Sequence, residues 1–247
     1  MGGRASLTRR SAEFGAERHH VGRRASIQQL GRAGLGRIRR VSYAFRRHRA
    51  RGDFDGSADY WDRRYRLGSD SGAGSYGRTA VHKAAFLNTF VAEHHVPSVI
   101  EFGCGDGHQL SLAEYPRYVG LDVSPAAVQA CQARFANDST KQFKVVADYN
   151  GERADLALSL DVIYHLVEDP VFEEYMRLLF GAAERYVIVF SSNTNRRTPI
   201  DRAHVRHRRF TEWTAQQDSW RLQHGSSSFG LRRRASFFVF ERAPLST

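Results

Sequence analysis

The feature that most narrows what this chain can fold into is the run Val99-Ile100-Glu101-Phe102-Gly103-Cys104-Gly105-Asp106-Gly107, a short apolar stretch passing directly into alternating glycines. An apolar run without polar alternation suits a strand covered on both faces. Glycine after it lets the main chain turn sharply and leaves space for a ligand at the strand end. A second apolar run, Tyr118 to Val123, carries Asp122 nineteen residues after Gly103. A carboxylate at that position accepts both hydroxyls of a ribose, so the pattern points to a nucleoside-bearing ligand.

The rest of the chain repeats the rhythm. Apolar runs at Val99–Phe102, Tyr118–Val123, Phe143–Ala147, Leu156–Leu160 and Tyr186–Phe190 predict parallel strands. Helical patterns lie between and before them. Tyr60-Trp61-Asp62-Arg63-Arg64-Tyr65 predicts a short amphipathic helix, and Ala84, Leu87 and Val91 put one apolar stripe on a helix from about Thr79 to His94. Ser71 to Arg78 is a Gly/Ser loop, expected to be flexible. A short helix, His108 to Ala113, is expected behind the glycine turn. Ser124-Pro125 reads as an N-cap with proline at the first helical position, followed by the stripe Val128, Cys131, Phe135; Asp169-Pro170 repeats the device before Val171, Tyr175, Leu178 and Ala182. Strand, helix, strand in this order predicts a doubly wound, Rossmann-like α/β sheet with helices on both faces. A closing pair, Arg221–His224 and Ser236–Glu241, predicts an antiparallel ending joined by the loop 225–234.

Which nucleoside ligand is expected follows from the charge around the turn. Glu101 and Asp106 flank the glycines. Two carboxylates would repel the pyrophosphate of a nicotinamide dinucleotide, and they suit the cationic amino and sulfonium groups of S-adenosylmethionine. Asp148, beyond the third run, is placed to meet an adenine amine.

The net charge of +11 is unevenly spread. Residues 1–55 carry 14 arginines against four acids, residues 56–195 carry 12 basic residues against 18 acids, and residues 196–247 carry 11 arginines against four acids. The middle is therefore acidic, and the first 55 residues, poor in apolar side chains, predict an Arg-rich tail, disordered or weakly ordered, ahead of a domain at 56–247. Two cysteines cannot build a disulfide framework and the apolar runs fall short of a bilayer span, so a soluble cytoplasmic protein without a membrane span is expected.

From Tyr60 to Glu241 these motifs together resemble the class I S-adenosylmethionine-dependent methyltransferases, in particular bacterial small-molecule members. The resemblance rests on Glu101–Gly107, Asp122, Asp148, and Ser159-Leu160-Asp161-Val162-Ile163-Tyr164-His165-Leu166, in the family's order. It implies a seven-stranded sheet of order 3-2-1-4-5-7-6 with the last strand antiparallel. It also implies S-adenosyl-L-methionine as cofactor, held by Glu101, Gly103, Cys104, Gly105, Asp106, Gly107, Asp122, Val123, Asp148, Tyr149 and Leu160. Transfer from a sulfonium needs placement more than acid–base machinery. For a hydroxyl acceptor, His165 is the candidate base, and Asp161 is expected to line the methionine or acceptor pocket.

The acceptor expected is an O or N of a small molecule or saccharide, with the arginines at 202, 206, 208 and 209 favouring an anionic one. Tyr76 and Arg78 are expected in a lid. The alternatives are RNA methylation aided by the basic arm, and a catalytically silent adenosyl-binding module. The Asn/Asp-Pro-Pro-aromatic sequence of amino-group nucleic-acid methyltransferases is missing at Leu160–Ile163, and no partner set completes a metal site with His204 and His207.

Overall fold

The computed structural model describes residues 54–196, 202–226 and 235–244, all within the compact unit Tyr43–Thr247. The Arg-rich segment lies outside the described residues, as does most of the 225–234 loop.

Seven strands form one sheet of order β3-β2-β1-β4-β5-β7-β6, the order the resemblance implies. They are β1 (Val99–Phe102), β2 (Tyr118–Asp122), β3 (Lys141–Val145), β4 (Ala154–Leu160), β5 (Ala183–Ser191), β6 (Trp220–Ser226) and β7 (Ser236–Arg242). β1 to β5 pair in parallel, while β7 runs antiparallel to both β5 and β6. The helices are α1 (Ser57–Arg66), α2 (Gly77–Glu93), α3 (Pro125–Arg134), α4 (Asp169–Ala182) and the single turn α5 (Thr211–Thr214). None of the helices among the described residues is long and apolar enough to cross a membrane.

Strand alternation sends successive side chains to opposite faces and divides the core in two. On one face, Val99, Leu156, Leu158, Ile188 and Phe190 pack with Leu87 and Val91 of α2 and with Val128 and Cys131 of α3. On the other, Ile100, Phe102, Ala157, Val187 and Val189 pack with Phe172, Met176 and Leu179 of α4. Ser124 caps α3 as expected, its hydroxyl accepting from the Ala127 N–H at 3.3 Å, with Pro125 opening the helix.

Several sequence expectations need correction. The third strand is Lys141–Val145, not Phe143–Ala147, and Val146–Asp148 forms a 3-10 turn. β3 is an edge strand in which only Phe143 is buried, so its polar residues escape a search for apolar runs. The stripe assigned to α4 is only partly right: Ala182 is buried in the core as expected, but Val171 is exposed and Tyr175 and Leu178 are half-buried, while Phe172, Met176, Leu179 and Phe180 face the sheet. Asp169 stands inside the first turn of α4, where Glu168 occupies the capping position. The helix behind the glycine turn shrinks to the 3-10 turn Leu110–Leu112.

The Ser71–Arg78 segment is likewise tied down. It holds a 3-10 turn at Ala73–Ser75 and enters α2 at Gly77. The Ser71 N–H donates to Asp106 Oδ2 and the Asp106 N–H donates to Ser71 Oγ, each at 3.0 Å. The Tyr76 hydroxyl donates to the same carboxylate at 2.6 Å.

β7 is joined to its face of the core through aromatic rings. Phe237 stacks on Phe86 of α2 at 4.0 Å between centroids and lies 4.7 Å from Phe190 of β5. Phe237→Ala is expected to cost about 3–5 kcal/mol, read as a lowered urea midpoint at unchanged slope.

Candidate active site

At the carboxyl ends of β1, β2 and β4, where a doubly wound sheet places its ligands, lies a cavity of about 380 Å³. Its floor is built by the strand ends and its roof by Ser57, Ala58, Trp61 and Tyr65 of α1. Of the residues expected around a cofactor, Glu101, Gly103, Cys104, Gly105, Asp122, Val123 and Leu160 line it, together with Asp161 and His165. Asp106, Gly107, Asp148 and Tyr149 are not on its wall, whereas Val146 is. Asp106 is engaged with the Ser71–Tyr76 segment and with the His108 N–H at 3.0 Å. Burial works against its ionisation, but the bonds from Tyr76, His108 and Ser71 prevail and hold its carboxyl below the ordinary range.

The glycine turn is shaped by close contacts. Gly103 and Gly105 take φ of +90° and +59°, in the left-handed region. A Cβ on Gly103 would collide with Val162, and one on Gly105 with Ser71 Oγ and the Tyr65 hydroxyl. The turn is also pinned to β2, because the Gly105 N–H donates to Asp122 Oδ2 at 2.9 Å, while the Ser124 N–H donates to Oδ1 at 3.0 Å.

Two buried carboxylates face this cavity without an ion pair among the described residues. Burial pushes Asp122 up to about 6 against the pull of the Ser124 and Gly105 N–H groups. It pushes Glu101 up to about 7, opposed by the Tyr118 hydroxyl, which donates at 2.7 Å, and by the charge of Lys83. A donor set of this kind fits a ligand that brings hydroxyl donors and positive charge, and it repels a pyrophosphate.

Lys83 is the residue that sequence reading missed. It sits on the inward face of α2 with Ala80, Ala84 and Leu87 and is 0% exposed. Its Nζ donates to Asp161 Oδ2 at 2.7 Å and lies 5.4 Å from the centroid of the Phe190 ring. Asp161 adopts φ of +62°, uncommon outside glycine. Its other carboxylate oxygen accepts from the Tyr164 hydroxyl at 2.8 Å. Its own N–H donates to the Phe190 carbonyl at 2.9 Å.

His165 closes the 3-10 turn Ile163–His165. Its Nδ1 lies 3.0 Å from the main-chain oxygen of His204, a group that only accepts. Nδ1 therefore carries the proton and Nε2 keeps a lone pair. Burial, outweighing the bond to His204, lowers its pKa to about 4, so the ring is neutral throughout the neutral range.

A second cavity of about 330 Å³ adjoins the first and shares Trp61, Ser71, Asp161 and His165 with it; its other lining includes Tyr60, Arg64, Tyr164, Arg202 and His204. Of the four arginines expected to meet an acceptor, Arg202 alone lines it. Arg206 and Arg208 both donate to the Val167 carbonyl at 2.8 Å and pair with Asp169 of α4, and Arg209 pairs with Glu212. Phe210 is buried in the core, and Tyr76 stacks on His108 at 4.1 Å. Among the described residues no group of three or more His, Cys, Asp or Glu is placed to hold a metal ion.

Two measurements probe these buried charges. Lys83→Met is expected to destabilise by about 3–5 kcal/mol, since it strands the Asp161 carboxylate, and Lys83→Met with Asp161→Asn should recover most of that loss. Folded Glu101 holds its proton up to about pH 7, whereas in the unfolded chain a glutamate releases it near 4.5. The folded state thus binds the extra proton inside that window, and its stability falls as pH rises through it. Glu101→Gln should remove this slope, gaining about 3 kcal/mol on the parent between pH 4 and pH 8 in denaturant titrations.

The model of a methyltransferase domain family matches residues 63–233, which supply most of the lining of both cavities, Ser57, Ala58, Tyr60 and Trp61 of α1 lying just before the match. Among solved structures, the methyltransferase domain of bacterial CtHen1-C is similar at 18% identity, with 66% of this chain and 98% of that chain covered and a TM-score of 0.56. Magnesium protoporphyrin IX methyltransferase (ChlM) from Synechocystis PCC 6803, with bound SAH, is 15% identical over 85% of this chain and 100% of its own, at a TM-score of 0.54. The N-methyltransferase NodS from Bradyrhizobium japonicum WM9 is 17% identical over 68% of this chain and 96% of its own, also at 0.54. At these identities the likeness is one of fold, and no curated protein matches the chain. The family match covers well over half of the sequence, and the chain therefore belongs to the methyltransferase domain family, as a class I S-adenosylmethionine-dependent methyltransferase.

Proposed function

We propose that this chain moves the methyl group of S-adenosylmethionine to an oxygen or nitrogen of a small-molecule acceptor, saccharides included. The observation that carries the reading is the pair of adjoining cavities, one walled by Glu101 and Asp122 and the other by Tyr60, Arg202 and His204, meeting at Trp61, Asp161 and His165. The catalytic unit is residues 56–247, and its two free thiols, Cys104 and Cys131, suit the cytoplasm.

In the first cavity, Asp122 holds the ribose hydroxyls, Glu101 meets the cationic amino end, and the Gly103–Gly105 main chain admits the ligand closely. Val146 stands on the wall near the end of β3, where Asp148 was expected, and offers an apolar surface to a base. The bound cofactor supplies a methyl carbon activated by a positively charged sulfur. Every further contribution is the protein's. The α1 roof excludes water, Lys83 and Tyr164 fix Asp161 between the cavities, and His165 Nε2 takes the proton that an acceptor hydroxyl or amine gives up as it attacks. A pKa near 4 makes His165 a modest base that is unprotonated at every working pH.

Calorimetric titration is expected to show S-adenosylmethionine and its demethylated product binding and NADH not binding, with Asp122→Ala losing about 1–3 kcal/mol of affinity. NADH preferred over both would overturn the reading. With an acceptor in hand, His165→Gln should lower kcat by about 10²–10⁴, a far larger effect than any change in cofactor affinity from its place on the first cavity's wall.

A further inference from the structure

We propose that the second cavity is an oxyanion site, so that the acceptor carries a carboxylate or another small oxyanion, and that Arg202 is the residue that selects it. The proposal rests on the reading of that cavity as the acceptor site and adds the acceptor's chemical class.

The charges on the cavity wall are unequal in their availability. Asp161 is already matched by Lys83 Nζ at 2.7 Å and by the Tyr164 hydroxyl at 2.8 Å. Arg64 is fixed in orientation, its Nε donating to the Asp70 carbonyl at 2.7 Å and its Nη2 to the Asp70 carboxylate at 3.0 Å, with its guanidinium carbon 5.5 Å from the Trp61 ring centroid. Arg202 is exposed at the cavity; its carbonyl accepts from the Val205 N–H at 2.9 Å, while its guanidinium makes no hydrogen bond or ion pair among the described residues. Among the described residues the wall thus presents two guanidinium groups and one carboxylate, Asp161, which is spent on Lys83, while Arg64 is matched by Asp70, a residue outside the wall. What is left over is positive.

His204 registers that excess. Its ring is pressed on Tyr60 at 4.1 Å and 11° and lies 5.5 Å from His165. Burial first, and after it the neighbouring His165, Arg202 and Arg64, each of which disfavours a second positive group, lower its pKa to about 4, so it adds a flat neutral face and no charge. The first cavity has the opposite character, with Glu101 and Asp122 on its wall. An anionic acceptor held by Arg202 is therefore drawn towards a cationic methyl donor next door and kept out of the donor's own acidic seat. Guanidinium suits this role because its planar fork meets a carboxylate or phosphate with two parallel bonds.

The full chain saturated with S-adenosylhomocysteine is titrated with benzoate, phenyl phosphate and benzamide by ligand-detected NMR, the aromatic ring being chosen to lie on the Tyr60–His204 face. Benzoate or phenyl phosphate is expected to bind about tenfold more tightly than benzamide. Tighter phenyl phosphate assigns a phosphate-bearing acceptor and tighter benzoate a carboxylate, and either upholds the proposal. Arg202→Gln should erase the preference, Arg202→Lys should keep part of it, and neither should change the affinity for S-adenosylhomocysteine. Binding of both anions no tighter than benzamide, no measurable binding of either anion, or an undiminished preference in Arg202→Gln would overturn it. Failure of S-adenosylhomocysteine itself to bind strikes instead at the function proposed above, since Arg202 lies outside the donor cavity.

Discussion

The contact on which the rest of this site depends is the one between Lys83 and Asp161. A lysine with no exposed surface is tolerated only beside a counter-charge, because an unpaired ammonium in the core costs several kcal/mol. Asp161 supplies that charge from a left-handed backbone conformation right after β4. The pair ties α2 to the strand end from one face of the sheet. It also sets the wall common to the two cavities, since Asp161 borders both. The same ammonium sits near Glu101 and favours its ionised form, so a single cation is shared between the two sides.

That arrangement leaves two neighbouring chambers of unlike polarity. Asp122 is held by hydrogen-bond donors and Glu101 by the Tyr118 hydroxyl with the nearby charge of Lys83, and burial still leaves both reluctant to ionise until something more positive arrives. On the other side, Arg64 is locked to Asp70, while the Arg202 guanidinium has no partner among the described residues. The Ser71–Tyr76 segment borders both chambers through Ser71 and is itself fastened by Asp106. An acid in the glycine turn thus serves the chain that closes the site and is absent from the cavity wall.

How much of this was legible in the sequence depended on how local the chemistry was. The β1–glycine–Asp122 constellation could be read because an apolar run, a glycine turn and a carboxylate at the next strand end are each determined within a few residues, and the sheet order followed from the family resemblance. Lys83 could not be read as buried by residue type, since lysines on helices usually face water. Its place on the stripe with Ala80, Ala84 and Leu87 was the signal that could have exposed it. On α4 the sequence shows apolar residues on two adjoining faces. Phe172, Met176 and Leu179 are buried on the sheet, Val171 is exposed at the first cavity, and Tyr175 and Leu178 both border that cavity and pack against the core, so periodicity alone does not say which face meets which neighbour. Arg206 and Arg208 look like ligand-binding residues until Asp169, far away in sequence, is seen to consume them.

The bond that sets the His165 tautomer reaches a peptide oxygen, not a side chain. Whatever residue occupies position 204 supplies that oxygen, so the imidazole keeps its orientation while the ring beside it is free to vary. On the function proposed above, two tasks then share one segment: the main chain at 204 governs proton acceptance, and the side chain at 204 shapes the acceptor's berth. Descendants of such a chain could exchange one acceptor for another by single substitutions there without dismantling the base.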